Sequence, residues 1–308
     1  MKNRILTFVF SLCTIVVTAQ GFQMPSGPAE GTYSRSWKDV NYASDGQECH
    51  NLDIYLPKEQ KNMYQAVIVI YGSAWFADNA KGMASASVGT PLLQAGFAVV
   101  SVNHRSSIQA VWPAQIQDVK AAIRYIRANA ANYDIDPSSI GITGFSSGGH
   151  LATYAGVTND VKTLTSGDVT VDIEGSVGDH LSVSSRVQAV VDWFGPVDMA
   201  RMSNCEVPND ESSPEAMLIG KKDPRLEPDW VKLISPINFI DKNDPEILII
   251  HGDADNVVSH CQSVYLKNAY DNAGGKADFI SVPGGGHGPG CFDTEYFQKM
   301  TDYFKKLL

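Results

Sequence analysis

The sequence predicts an α/β fold: a mostly parallel central sheet covered by helices on both faces. Three observations carry this. Ala66–Tyr71 and Phe97–Val102 are continuous apolar runs rich in β-branched residues, the pattern of strands buried on both faces. Gln115–Ala131 places Ile116, Val119, Ala122, Ile123 and Ile126 at helical spacing, with charges opposite. Strand-like and helix-like segments then alternate to the C-terminus, which implies parallel strands joined by crossover helices.

The chain has 308 residues, 44% hydrophobic and 19% charged, enough for one large domain, and no composition shift divides it. The formal net charge of −10 argues against nucleic acid or an anionic membrane as partner. Lys2 and Arg4 precede an apolar run, Ile5–Val17, and small residues lead to a cut before Gln20. This predicts a signal peptide over 1–19, too short for stable membrane insertion, and a secreted or periplasmic protein. Residues 20–36, rich in Gly, Pro and Ser, read as a flexible leader, and 37–308 as a single catalytic domain. In an exported chain Cys49, Cys205, Cys261 and Cys291 allow two disulfides. The pairing expected is Cys261 with Cys291, since both follow loops placed at the site. No CxxC or HxxxH spacing supports a metal.

Leu52–Leu56 alternates and stops at Pro57, a half-buried strand. The buried strands at Ala66 and Phe97 follow, then the Gln115 helix. Asp136-Pro137 turns the chain into a strand at Ile140–Ile142. Ala189–Phe194 and Ile247–His251 are further strands, Val257–Ala273 a helix, Phe279–Val282 a strand and Asp293–Leu308 a closing amphipathic helix. Asn159–Ser185 and Met199–Asp229 break the rhythm. They are read either as substrate-shaping loops at strand C-termini or as surface excursions.

The Ile140 strand stops at Gly144-Phe145-Ser146-Ser147-Gly148-Gly149, and a small-residue helix follows. A G-x-S-x-G sequence between strand and helix is the context of a nucleophile elbow: glycines permit a sharp turn that lifts the serine oxygen clear of the sheet. A serine hydroxyl needs a base, and the base an orienting acid. His287, within Gly284–Gly290 directly after a strand, has no core role there and is the expected base. His251 and His150 read as structural; His50, His104, His180 and His260 carry no motif. The loop His251–Val258 offers Asp255 at its apex as the acid. Asp253 is read as a turn residue, and Asp192 and Asp198 are weaker alternatives. One oxyanion donor is the N–H of Ser147; others should come from Tyr71-Gly72-Ser73-Ala74-Trp75. Trp75 and Trp112 are read either as substrate-lining or as packing residues.

LDIYLP (52–57), YGSAW (71–75), WPAQIQDVKAAIRYIRANA (112–130), GFSSGGHL (144–151), VVDWFGPVD (190–198), SPINFI (235–240), HGDADNVV (251–258) and PGGGHG (283–288) stand in one order. In these the chain resembles the carbohydrate-esterase and feruloyl-esterase branch of the α/β-hydrolases, related to hormone-sensitive-lipase-like esterases. The resemblance covers Leu52–Leu308. It implies Ser146 as nucleophile, Asp255 as acid, His287 as base, and oxyanion donors at Ser73 and Ala74 with Ser147. It also implies an Arg105–Asp118 pair holding helix to strand. The implied activity is a serine carboxylesterase acting on acetyl or feruloyl esters of plant polysaccharide fragments, small-molecule or oligosaccharide, with no metal or organic cofactor. An amide hydrolase of the same fold, or an inactive hydrolase acting as a binding module, is the alternative. One departure stands out: Tyr71-Gly72-Ser73 replaces the family's usual His-Gly-Gly, which removes a polar anchor and adds a Cβ.

Overall fold

The computed structural model describes residues 26–308, so the signal peptide read over 1–19 lies outside the described residues. Among the described residues ten strands form: β1 (Tyr33–Asn41), β2 (Asn51–Pro57), β3 (Tyr64–Ile70), β4 (Ala98–Val102), β5 (Ile135–Phe145), β6 (Thr163–Ser166), β7 (Val169–Asp172), β8 (Ala189–Trp193), β9 (Glu246–Gly252) and β10 (Ala277–Val282). Eight of them make one sheet in the order β1-β2-β4-β3-β5-β8-β9-β10. Pairing is antiparallel from β1 through β2 to β4 and parallel from there on. This is the α/β-hydrolase fold, with a mostly parallel sheet between helical layers.

Alternate residues of β3 feed the two faces. Ile68 and Ile70 join a core with Ile116 of α3 (Ala114–Ala128), Leu151 of α4 (Ser147–Val157) and Leu266 of α7 (Cys261–Ala273). Val67 and Val69 join the opposite core with Ala84 of α1 (Lys81–Ala84), Leu92 of α2 (Thr90–Gln94) and Phe304 of α8 (Thr294–Leu307). All four β3 residues are fully buried. Each such side chain stabilises the fold by roughly 1.5–3 kcal/mol relative to exposure. That explains the unbroken apolar run, since a strand with helices on both sides has no solvent face. The chain reverses direction along the sheet between β3 and β5, because β4 lies on one side of β3 and β5 on the other. A crevice therefore opens at the C-terminal ends of β3 and β5, where ligands bind in open α/β sheets.

The sheet also takes in part of the stretch read as leader. Tyr33, Arg35 and Ser36 pair with Pro57, Leu56 and Tyr55. The remaining short helices are α5 (Pro214–Leu218) and α6 (Pro228–Leu233). Asn159–Ser185 leaves from the C-terminal end of α4, the end remote from Ser146, and forms the β6–β7 hairpin. It packs on the outside of the helical layer: Lys120 of α3 reaches Glu174 at 3.1 Å, and Arg124 reaches the same carboxylate. It is a surface excursion. Met199–Asp229 follows the C-terminal end of β8. The Arg105–Asp118 pair forms, with Nη2 to Oδ1 at 2.6 Å and Nε to Oδ2 at 2.9 Å, and the Asp118 side chain is fully buried.

Candidate active site

Ser146 sits between β5 and α4 with φ 57° and ψ −127°, a left-handed region that a residue with a Cβ avoids. Its neighbours make this turn possible. A Cβ on Gly144 would meet the Gly148 carbonyl oxygen at 2.2 Å, and one on Gly148 would meet that of Ile70 at 2.3 Å. The strained turn is pinned by the Ser146 N–H donating to Trp193 O at 2.9 Å.

Asp255 accepts the His287 Nδ1–H at 2.7 Å, so Nε2 is free to accept the Ser146 hydroxyl at 2.9 Å. The Asp255 side chain is wholly buried and that of His287 is 19% exposed, which leaves a route for substrate at the imidazole. Burial alone would raise the Asp255 carboxyl. Hydrogen bonds from His251, His287 and the Val257 N–H outweigh it and hold the group well below the usual carboxylate range. Its Oδ1 accepts the N–H groups of Val257 and Val258, at 2.8 and 3.0 Å, which fixes the turn after it; α7 begins at Cys261, four residues beyond the Val257 start read from the sequence. Asp253 serves the loops instead, since its Oδ1 accepts the Gly284 N–H at 2.7 Å and staples the acid loop to the histidine loop. Asp192 is buried under α4, accepting from Thr153 and Gly195, and Asp198 accepts from the Ala200 N–H and Arg201; neither reaches His287.

The loop after β3 corrects one expectation. The Ser73 N–H does not stand open for an oxyanion; it donates to Ser147 Oγ at 2.9 Å. The N–H groups of Ala74 and Ser147 have no acceptor among the described residues. Tyr71, in the place of the family's histidine, restores a polar anchor by another route. Its hydroxyl donates to Ala77 O at 3.1 Å, and its ring stacks on His104 at 4.9 Å. Ala77 N–H closes back onto Ser73 Oγ at 3.2 Å.

Residues 52–270 match the BD-FAE family. The chain belongs to that family. Esterase LipQ of Mycobacterium tuberculosis (strain ATCC 25618 / H37Rv) is 29% identical to this BD-FAE chain over 269 residues, which are 83% of this chain and 58% of LipQ. The chain spans about half the length of the curated relatives it matches. Among solved structures, a truncated form of a carbohydrate esterase from gut microbiota is 78% identical with a TM-score of 0.91, covering 91% of this chain and 98% of that one. A bifunctional GH43-CE protein of Bacteroides eggerthii is 56% identical with a TM-score of 0.86, covering 88% of this chain and 35% of that one.

For the BD-FAE chain one open reading is decided and one further expectation needs correction. Trp75 and Trp112 do not line the site, for each is 1% exposed. Trp75 donates its indole N–H to His150 Nδ1 at 3.2 Å, and Trp112 packs edge-on against Tyr154 at 4.7 Å. The disulfide joins Cys205 to Cys261, while Cys49 and Cys291 are free and buried. The histidine loop folds back on itself, with Gly286 N–H to Pro289 O at 2.9 Å and Cys291 N–H to Gly288 O at 3.0 Å. That fold turns Cys291 inward, where burial pushes its thiol up to about 11. Cys261, opening α7, meets the Met199–Asp229 excursion instead.

Three site neighbours have supporting roles: His150 and Asp253 act as the structural and turn residues the sequence predicts, and Phe194 escaped the motif reading. His150 anchors Trp75, Asp253 ties two loops, and Phe194 packs its ring 4.7 Å from that of His287. Phe194 carries φ 44°, an unusual value for a bulky residue and a sign that the surroundings hold it there. Gly195 beside it was the available signal.

Proposed function

We propose that this chain is an exported serine carboxylesterase that removes small acyl (acetyl) or hydroxycinnamoyl (feruloyl) groups from plant polysaccharide fragments. The observation that carries the reading is the unbroken chain Ser146 Oγ to His287 Nε2 at 2.9 Å and His287 Nδ1 to Asp255 at 2.7 Å. His287 takes the Ser146 proton as the oxygen attacks the ester carbonyl, giving a tetrahedral oxyanion held by backbone N–H groups. Asp255 keeps the imidazole in the tautomer that can accept, and stabilises the imidazolium once it forms. The intermediate collapses by breaking the bond to the alcohol, which leaves with the proton from His287. Water then adds to the acyl-enzyme by the same steps, releasing the acid and restoring Ser146.

The choice of ester over amide, and of a sugar-borne ester, leans on the similarity to carbohydrate esterases and on LipQ being an esterase. Export agrees with the Cys205–Cys261 disulfide, since such bonds persist in oxidising compartments. The test is one panel of p-nitrophenyl acetate, methyl ferulate and acetylated xylan, with wild type and Ser146→Ala. Turnover by wild type and none by Ser146→Ala is expected, and the ratio of ferulate to acetate assigns the acyl group. No turnover by wild type of any ester would assign the chain to the binding modules.

A further inference from the structure

Ser147 follows the proposed nucleophile and opens α4, with its side chain shut off from solvent. Its Oγ accepts the Ser73 N–H at 2.9 Å. This bond ties the loop after β3 to the first turn of α4, the two segments that would supply oxyanion donors. It also aims the Ser73 N–H at a protein oxygen rather than at substrate. Two donors remain at the junction. The Ser147 N–H, as the first of its helix, has no intrahelical acceptor. The Ala74 N–H has none in its loop.

The loop itself is not at rest in this shape. Ala74 and Trp75 lie at φ 51° and 61°, two successive left-handed residues that are not glycine. Successive N–H groups in such turns form a concavity suited to an anion, but the conformation is unfavourable and needs outside support. The anchors are the Tyr71 hydroxyl on Ala77 O, the Ser107 N–H on Trp75 O at 2.8 Å, the Trp75 indole on His150, and Ser147 Oγ. His150 and Ser147 both stand on the nucleophile's own helix, but Ser147 alone of these two bonds the loop's backbone, at Ser73 beside Ala74. Without an oxygen at this point the half-buried Ser73 N–H would lose its protein partner. Turning to find another acceptor, it would carry the adjoining Ala74 peptide with it.

We propose that Ser147 is a positioning residue for acyl transfer: its hydroxyl oxygen fixes the loop so that the N–H groups of Ala74 and Ser147, and not that of Ser73, hold the oxyanion. This rests on Ser146 being the nucleophile. The test measures kcat and KM for p-nitrophenyl acetate in wild type, Ser146→Ala, Ser147→Ala, Ser147→Cys and Ser147→Thr, each checked for its thermal midpoint. Ser147→Ala is expected to lose roughly 10- to 100-fold in kcat, the scale of a small displacement of a catalytic donor, with KM nearly unchanged. Ser147→Cys fills the space of the hydroxyl with a weak acceptor and is expected to lose kcat likewise. Ser147→Thr keeps the oxygen and is expected to restore kcat. Wild-type kcat in both the alanine and cysteine variants overturns the proposal, as does a loss confined to KM, or an equal kcat loss in a folded threonine variant. Ser146→Ala separates the two levels. If it abolishes turnover, the esterase reading stands whatever Ser147 does; if it does not, that reading fails and this inference with it.

Discussion

Trp75 donates its indole N–H to His150 Nδ1, so that nitrogen is unprotonated and the ring's hydrogen sits on Nε2, facing the Ile234 carbonyl at 2.8 Å. Burial pushes His150 down to about 4, against the pull of the Ile234 bond. The consequence for stability has a definite sign. An unfolded histidine takes up its proton near 6.5, the folded one only near 4, so the unfolded state gains as pH falls through that window. Asp244, raised to about 7 chiefly by its burial, works in the opposite direction over part of the same range, so a comparison with a variant is needed. His150→Gln is expected to be less stable than wild type at pH 7, with the gap narrowing by about 3 kcal/mol on going to pH 4. Urea unfolding of both proteins across that range checks it; a constant gap would contradict the account. Some of this residue-level detail was legible in the sequence and some was not. Ser146 and His287 could be found because glycines flank them for steric reasons that leave a spacing. The use of the Ser73 N–H by Ser147 could not, because a bond between one segment's side chain and another's backbone depends on how the two approach in space. The same holds for His150, which looked like packing and is packing, with a hydrogen bond added.

The Met199–Asp229 excursion has little regular structure, and several contacts fasten it to α7. They are the disulfide Cys205–Cys261, the Tyr265 hydroxyl donating to Cys205 O at 2.9 Å, Gln262 Nε2 donating to Arg201 O at 3.0 Å, and the Arg201 guanidinium lying 3.7 Å from the Tyr265 ring. α7 begins beside the loop that carries Asp255, so the excursion is tied to the acid's own element. Its sequence separation of 56 residues makes the crosslink a substantial restraint on the unfolded chain. The double variant Cys205→Ser/Cys261→Ser is expected to lose about 2–4 kcal/mol of stability while still turning over p-nitrophenyl acetate, since the hydrogen bonds that join Ser146, His287 and Asp255 do not involve the bridge. Urea unfolding with a parallel assay tests both halves. The expected pairing with Cys291 rested on loop proximity along the sequence. It missed because pairing depends on which way each side chain points, and the Gly288–Gly290 turn sends Cys291 inward.

Across the whole molecule, the central strands were legible because burial on both faces leaves only apolar, β-branched choices. Edges were less so. β1 pairs on one side only, carries register shifts after Tyr33 and Trp37, and holds residues of intermediate exposure, so its pattern resembled a linker. The β6–β7 hairpin has strands of four residues, too short to show a period. Exposed apolar side chains gather on the loops past the strand C-termini: Phe76, Ile108, Val111, Val207, Leu226 and Val257. Ser146 itself stands just past the C-terminal end of β5, in the crevice between β3 and β5. The central claim is that Ser146 is the one activated nucleophile of this crevice. Its most direct test is reaction of the full chain with a fluorophosphonate, read by intact mass and peptide mapping. A single phosphonyl adduct on Ser146 is expected, with labelling lost in Ser146→Ala and greatly slowed in His287→Ala. No adduct, an adduct on another residue, or equal labelling rates in wild type and His287→Ala would contradict it.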